Sequence, residues 1–157
     1  MTIEEKNLSK AEQARALFRE GANCAQAVAV AFAEECHVDA ETMCRLASGF
    51  GAGMGRLREV CGAVSGMVLV ANLLWGPSQF SDTAGREAQY ARIQMLVERF
   101  QKETGSIICR ELLGIETKQK DSPCSEARTK MLHPKRPCVE MVALAAEILE
   151  KQIGKDA

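Results

Sequence analysis

Apolar residues recur with the period of an α-helix along almost the whole chain. The clearest case is a stripe at spacing i, i+3, i+4, i+7 and i+8, made by Cys24, Ala27, Val28, Ala31 and Phe32. This spacing places all five side chains on one helix face. No segment alternates with the two-residue period of a strand, and aromatic residues, which favour sheets, make up only 4% of the chain. The pattern predicts an all-α fold.

The 157 residues suffice for one domain, so we expect residues 1–157 to form a single helical bundle of about six or seven helices. Residues 1–10 and the polar segment 117–136 are predicted to be less regular. Glycine, proline and short polar residues mark where helices begin and end. The predicted boundaries are Gly21, Asp39, Gly76, Asp82 or Thr83, Gly105, Gly114 and Pro137.

The same periodicity predicts which side chains fill the core. For the long helix that ends near Thr104, the expected inner face consists of Tyr90, Ile93, Leu96, Val97 and Phe100. Trp75 and four methionines are also expected to fill the core, at positions Met43, Met54, Met67 and Met95.

The net charge and the hydropathy of the chain argue against a nucleic-acid-binding protein and against a membrane-spanning protein. The formal net charge of −1 gives no overall attraction to nucleic acid. The longest apolar stretch, residues 60–75, is short for a bilayer span and is interrupted by glycine, serine and asparagine, so we expect no membrane span. The polar N-terminal residues do not resemble a signal peptide. These features favour a cytoplasmic protein, in which thiols are kept reduced.

Seven cysteines are therefore the most unusual feature of the sequence. No CxxC or CxxCH motif is present, so the spacing alone identifies neither a thioredoxin-type site nor a haem attachment site. Cys61 follows Arg56 and Arg58 in the first turn of a predicted helix, and Cys138 follows Pro137 in another first turn. Helix N-termini and nearby cations favour the thiolate. Cys61 and Cys138 are therefore the candidate redox thiols.

A run of four glycines at every second position, Gly49, Gly51, Gly53 and Gly55, precedes Cys61. We expect a loop here with no helix, because glycine is a poor helix former. Backbone amides before a helix attract anions, so Gly51, Gly53 and Gly55 are weak candidates for cofactor binding. No strand precedes the run and no GK[ST] follows it. The alternatives are close passage of the backbone beside Cys61 and, through the small residues that follow it, close helix packing. These small residues are Gly62, Ala63, Ser65 and Gly66.

Several segments resemble the C-GCAxxG-C-C family of redox-active proteins over roughly residues 21–149. The matching segments are Asn23-Cys24-Ala25-Gln26-Ala27-Val28, Leu46-Ala47-Ser48-Gly49-Phe50-Gly51-Ala52-Gly53-Met54-Gly55, Glu59-Val60-Cys61-Gly62-Ala63-Val64-Ser65-Gly66, Cys109-Arg110-Glu111-Leu112-Leu113-Gly114 and Cys138. The resemblance implies four functional cysteines, which are Cys24, Cys61, Cys109 and Cys138. The other three, Cys36, Cys44 and Cys124, are then extras of this sequence.

Three chemistries remain open for these four cysteines. Four thiolates can hold an iron–sulfur cluster, so the leading hypothesis is electron transfer or redox sensing with Cys24, Cys61, Cys109 and Cys138 as metal ligands. The second is a metal-free protein in which pairs of thiols cycle through disulfides. The third is structural zinc. A helical interaction module, in which the cysteines are incidental, is a separate alternative to all three. A redox partner protein or a small-molecule thiol or electron donor is the expected partner, and a homodimer is left open.

Overall fold

The computed structural model describes residues 2–115 and 138–156. Within these ranges it contains no β-strand, and a single antiparallel bridge joins Val60 to Ile108. The predicted all-α fold is confirmed. Residues 117–136, Pro137 and Cys124 lie outside the described ranges. The helices are α1 (Ile3–Lys6), α2 (Lys10–Glu20), α3 (Cys24–Ala31), α4 (Ala40–Ala47), α5 (Gly51–Met54), α6 (Gly62–Trp75), α7 (Thr83–Thr104), α8 (Cys109–Leu113) and α9 (Cys138–Asp156), with a 3₁₀ turn at Ser48–Phe50.

The predicted boundary residues begin and end these helices. The carboxylates of Asp39 and Asp82 each accept a hydrogen bond from a backbone N–H in the first turn of α4 and α7. Gly21, Gly105 and Gly114 end α2, α7 and α8 in the left-handed conformation that favours glycine. The local signals in the sequence are therefore enough to define most helix ends.

Helix α3 lies at the centre of the bundle and packs against α2, α4, α6 and α9. Its buried residues are mostly alanines, which allow neighbouring helices to approach closely. A Cβ atom on Gly66 of α6 would lie 2.7 Å from the carbonyl oxygen of Ala25 and 3.1 Å from Cβ of Val28. The contact between α3 and α6 therefore requires glycine at position 66, as the close-packing alternative predicted.

Two predicted core residues lie at the surface instead. Tyr90 is 62% exposed, and the neighbouring Gln89 is buried, where its Nε2 donates a hydrogen bond to Oδ1 of Asn72. Gln89 shares the face of Leu96 and Phe100, seven and eleven residues later, whereas Tyr90 is rotated by about 100°. Met54 is 47% exposed, because it lies in the glycine-rich turn described next.

The glycine-rich turn, residues 48–56, differs from the predicted loop. It contains the 3₁₀ turn and the short helix α5. From Ala52 to Arg56, five successive residues have φ between 55° and 70°. The chain thus turns left-handed, at about 1–2 kcal/mol for each residue other than glycine. Glycine alone does not explain this conformation, so packing against the rest of the fold must stabilise it.

No helix within the described ranges is both long enough and apolar enough to cross a membrane.

Candidate redox site: four cysteines at the starts of helices

The four cysteines of the family pattern all lie where helices begin. Cys24, Cys109 and Cys138 are the first residues of α3, α8 and α9, and Cys61 immediately precedes Gly62 of α6. The first backbone N–H groups of a helix have no partner within it, and they stabilise negative charge nearby. Each of the four cysteines therefore lies at the start of a helix, and we call Cys24, Cys61, Cys109 and Cys138 together the cysteine cluster.

The four thiols are close enough to influence one another's ionisation. The pKa of Cys24 is raised well above its usual value, first by a hydrogen bond with Cys138 and then by burial. Negative charge on Cys138, Cys61 or Cys109 raises the pKa of Cys24 further. Residues that are far apart in the sequence therefore form one site.

Cys61 does not have the low pKa that its position in the sequence suggested. Burial raises the pKa of its thiol to about 11, and the neighbouring Cys109 and Cys138 act in the same direction. The backbone N–H groups of Ala63 and Val64 lower the pKa, as expected at the start of a helix, but their effect is smaller. Loss of hydration therefore dominates at Cys61.

A short antiparallel contact holds Cys61 and Cys109 in fixed positions. The backbone N–H of Cys61 donates to the carbonyl oxygen of Ile107 at 2.7 Å, and that of Cys109 donates to the carbonyl oxygen of Glu59 at 2.6 Å. These hydrogen bonds flank the bridge between Val60 and Ile108. Cys61 and Cys109 are therefore diagonal neighbours whose side chains leave the same face of the bridge.

Two glycines of the sequence motifs pack directly against cluster residues. A Cβ atom on Gly53 would lie 2.6 Å from Cβ of Cys109, and one on Gly62 would lie 3.0 Å from Cβ of Cys24. At Gly51 the added atom would meet the side chain of Asn23 at 2.4–2.6 Å. Protein atoms thus occupy the space beside Gly51 and Gly53, whereas at Gly55 the nearest atom is 3.9 Å away. A role of these glycines in cofactor binding stays a prediction.

Arg58, one of the two arginines before Cys61, lies beside a different thiol from the one expected. Arg58 is only 5% exposed, and its Nη1 lies 3.9 Å from Sγ of Cys109. Its φ of 59° is unusual for a bulky residue. Its carbonyl oxygen accepts hydrogen bonds from the backbone N–H and from Nη1 of Arg110, both at 3.2 Å. The left-handed turn therefore places a cation beside Cys109.

Asn23 is a site residue that the sequence interpretation missed. Its Oδ1 accepts from the backbone N–H of Gln26 at 2.9 Å, and its Nδ2 donates to the carbonyl oxygen of Ser48 at 2.9 Å. Asn23 therefore joins the start of α3, beside Cys24, to the glycine-rich turn. The signal was present in the sequence, because Asn-x-x-Gln is a capping box.

Two of the extra cysteines, Cys36 and Cys44, lie within the described residues. Cys44 is exposed and accepts a hydrogen bond from Nε2 of Gln26 at 3.2 Å. Cys36 is half-buried, and its pKa is raised to about 11, chiefly by burial and secondly by the carboxylate of Glu35. Neither cysteine is buried as Cys61 and Cys109 are.

The donor atoms of the cluster suit a metal, but their placement does not. Within residues 2–115 and 138–156, no group of three or more His, Cys, Asp or Glu side chains is arranged to hold a metal ion. The six cysteines in these ranges are thiols outside any disulfide. The assignment of Cys24, Cys61, Cys109 and Cys138 as metal ligands therefore stays a prediction.

Comparison with known proteins identifies the family. A family model described as "Putative redox-active protein (C_GCAxxG_C_C)" matches residues 22–152. The chain belongs to the C-GCAxxG-C-C family. All four cluster cysteines fall within the matched range, which spans most of the chain. No curated protein and no solved structure matches the chain significantly.

Proposed function

We propose that this C-GCAxxG-C-C protein performs thiol–disulfide redox chemistry at the cysteine cluster, accepting and donating electrons in pairs. The observation that carries the proposal is the gathering of four thiols from four helix starts, with mutual effects on ionisation. Membership of a family described as redox-active supports the same class of chemistry.

The reaction follows from the chemistry of thiols. A cluster thiolate attacks one sulfur of a partner disulfide and releases the first partner thiol, which leaves a mixed disulfide. A second cluster thiol attacks the mixed disulfide and releases the second partner thiol. The cluster loses two electrons and two protons, which the two partner thiols gain. A reduced partner protein or small-molecule thiol reverses the reaction, so we place the protein in a reducing compartment such as the cytoplasm.

An iron–sulfur cluster held by the same four cysteines is the second candidate. The number and type of donors favour it, and Cys61 and Cys109 are shielded from water at 6% and 7% exposure. When bound, such a group would supply one-electron transfer. Binding of an iron–sulfur cluster would require the four sulfurs to move closer together, since no three of them are arranged to hold a metal. Zinc in the same position would be structural.

The test is a combined analysis of metal, acid-labile sulfide and thiols on protein purified without oxygen. We expect no stoichiometric iron, zinc or sulfide, and a loss of two or four thiols on mild oxidation that dithiothreitol reverses. A control variant with Cys36, Cys44 and Cys124 changed to serine should lose the same number of thiols. Iron with matching sulfide would replace the proposal with the second candidate. Thiols that resist oxidation in metal-free protein would refute it.

A further inference from the structure

Two thiols of the cysteine cluster, Cys24 and Cys138, are joined by a hydrogen bond. We propose that Cys24 and Cys138 form the working disulfide, while Cys61 and Cys109 remain thiols when that disulfide forms. This inference rests on the proposed function and assigns its two-electron step to particular residues. Three features of the structure support it.

The first feature is the proximity of the two thiols. The side chains of Cys24 and Cys138 share a hydrogen bond between the starts of α3 and α9. A disulfide needs a sulfur–sulfur distance of about 2.05 Å and Cα atoms within roughly 4.4–6.8 Å. Thiols within hydrogen-bond reach of each other need only side-chain rotation and a small approach of α3 and α9 to meet these conditions.

The second feature is the geometry of the other pair. Diagonal neighbours across an antiparallel bridge lie roughly 7–8 Å apart, beyond the usual range for a disulfide. The backbone hydrogen bonds of 2.7 and 2.6 Å hold Cys61 and Cys109 in this register. Gly53 leaves no room beside Cys109, because an added Cβ would lie 2.6 Å from that residue. Direct closure between Cys61 and Cys109 would therefore require the backbone to move.

The third feature is access. Cys61 and Cys109 are 6% and 7% exposed, whereas Cys24 and Cys138 are half-buried and keep part of their surface in contact with solvent. Thiol–disulfide exchange requires the attacking sulfur to reach the partner disulfide. A partner therefore reaches Cys24 and Cys138 more readily than the buried Cys61 and Cys109.

In the resulting reaction, the partner disulfide accepts the two electrons that Cys24 and Cys138 lose. One thiol of the pair loses its proton and attacks a sulfur of the partner, and the departing thiolate takes up a proton. The other thiol attacks the sulfur of the mixed disulfide and releases the second partner thiol. The Cys24–Cys138 bond then links the first residue of α3 to the first residue of α9, which are separated by most of the chain.

The experiment is disulfide mapping of the full chain during reaction with oxidised glutathione. Protein carrying Cys36, Cys44 and Cys124 as serine is sampled over time, alkylated and digested, and linked peptides are quantified by mass spectrometry. We expect the peptide containing Cys24 linked to Cys138 to appear first, with the loss of two thiols per chain. Mapping needs no cluster substitution, so it does not depend on whether a variant folds.

The second measurement counts the thiols lost by single variants of the protein that carries Cys36, Cys44 and Cys124 as serine. Cys61→Ser and Cys109→Ser should still lose two thiols, while Cys24→Ser and Cys138→Ser should stop at the mixed disulfide with glutathione. First appearance of any other linked pair would overturn the assignment of Cys24 and Cys138 and leave the proposed function intact. Absence of any intramolecular disulfide in all samples would refute the proposed function itself.

Discussion

Substitution of Gly53 by alanine should destabilise the protein through the cysteine site. Gly53 has φ of 69°, and the added methyl group would lie 2.6 Å from Cβ of Cys109 and 2.7 Å from Cα of Arg58. The left-handed conformation costs alanine about 1–2 kcal/mol, and forcing an atom into a packed site costs about 1–3 kcal/mol. We therefore expect Gly53→Ala to lower the free energy of unfolding by about 2–5 kcal/mol.

Two other glycines separate these contributions. Gly105 is also left-handed, with φ of 86°, but no atom lies within 4 Å of an added Cβ, so Gly105→Ala should show only the conformational cost. Gly154 in α9 is similarly open and lacks the left-handed φ, so Gly154→Ala should be neutral or stabilising by up to about 1 kcal/mol.

Urea unfolding of the three variants under reducing conditions measures these differences in the free energy of unfolding. The comparison requires that all three variants show the same m value, which is the dependence of that free energy on urea concentration. Packing against Cys109 predicts that Gly53→Ala is clearly less stable than Gly105→Ala. If the two variants agree within about 0.5 kcal/mol, crowding at Gly53 has no energetic effect. The glycine-rich turn would then have no part in positioning Cys109.

Three further predictions concern the surroundings of the cluster. Arg58→Gln should slow the alkylation of Cys109 in the native protein, because loss of the guanidinium 3.9 Å away disfavours the thiolate. The folded pKa of Cys61, about 11, exceeds its usual value of 9.0, so its stabilising contribution is complete below pH 9 and is lost as the pH rises through 11. The fall in unfolding free energy from pH 8 to 11 should thus be about 2–3 kcal/mol smaller in Cys61→Ser. Asn23→Ala should destabilise by about 1–2 kcal/mol, because it removes a helix cap and the bond to Ser48.

Each of these predictions has a control. Arg45→Gln removes an exposed arginine that pairs with Glu41, and it should leave the alkylation rate of Cys109 unchanged. Equal rates in the Arg58 and Arg45 variants would contradict the role of Arg58. If the free energy of unfolding falls with pH in the same way in the wild type and in Cys61→Ser, the pKa of Cys61 is not raised in the folded protein. Chemical denaturation of Asn23→Ser, which keeps a capping oxygen, separates the cap from the contact with Ser48.

The parts of the fold that depend on local chemistry were predictable from the sequence. Asp39 and Asp82 cap helices, and Gly21 and Gly105 end them, because the favoured conformations depend on a few neighbouring residues. The face of α7 was less predictable. Tyr90 looks like a core residue by hydropathy, but the rotation of the helix is set by its neighbours, which bury Gln89 instead.

The candidate site was likewise predictable from the sequence only in part. The four cysteines were identified from motifs in the sequence, but spacing along a chain does not show that their thiols meet. The left-handed run through Ala52 and Met54 was not predictable, because these residues disfavour that conformation and only tertiary packing stabilises it. From the sequence, Arg56 and Arg58 were therefore expected to act on Cys61, whereas in the structure Arg58 lies beside Cys109.

In the proposed function, the cysteine cluster exchanges electrons in pairs through a disulfide. The most direct test of this function is a redox titration of the metal-free protein in glutathione buffers, with thiols counted by mass after alkylation. We predict one reversible transition that removes two thiols and follows the two-electron slope of about 30 mV per tenfold change in the ratio of oxidised to reduced protein. Thiols that remain reduced across the whole range, or only mixed disulfides with glutathione, would contradict the account.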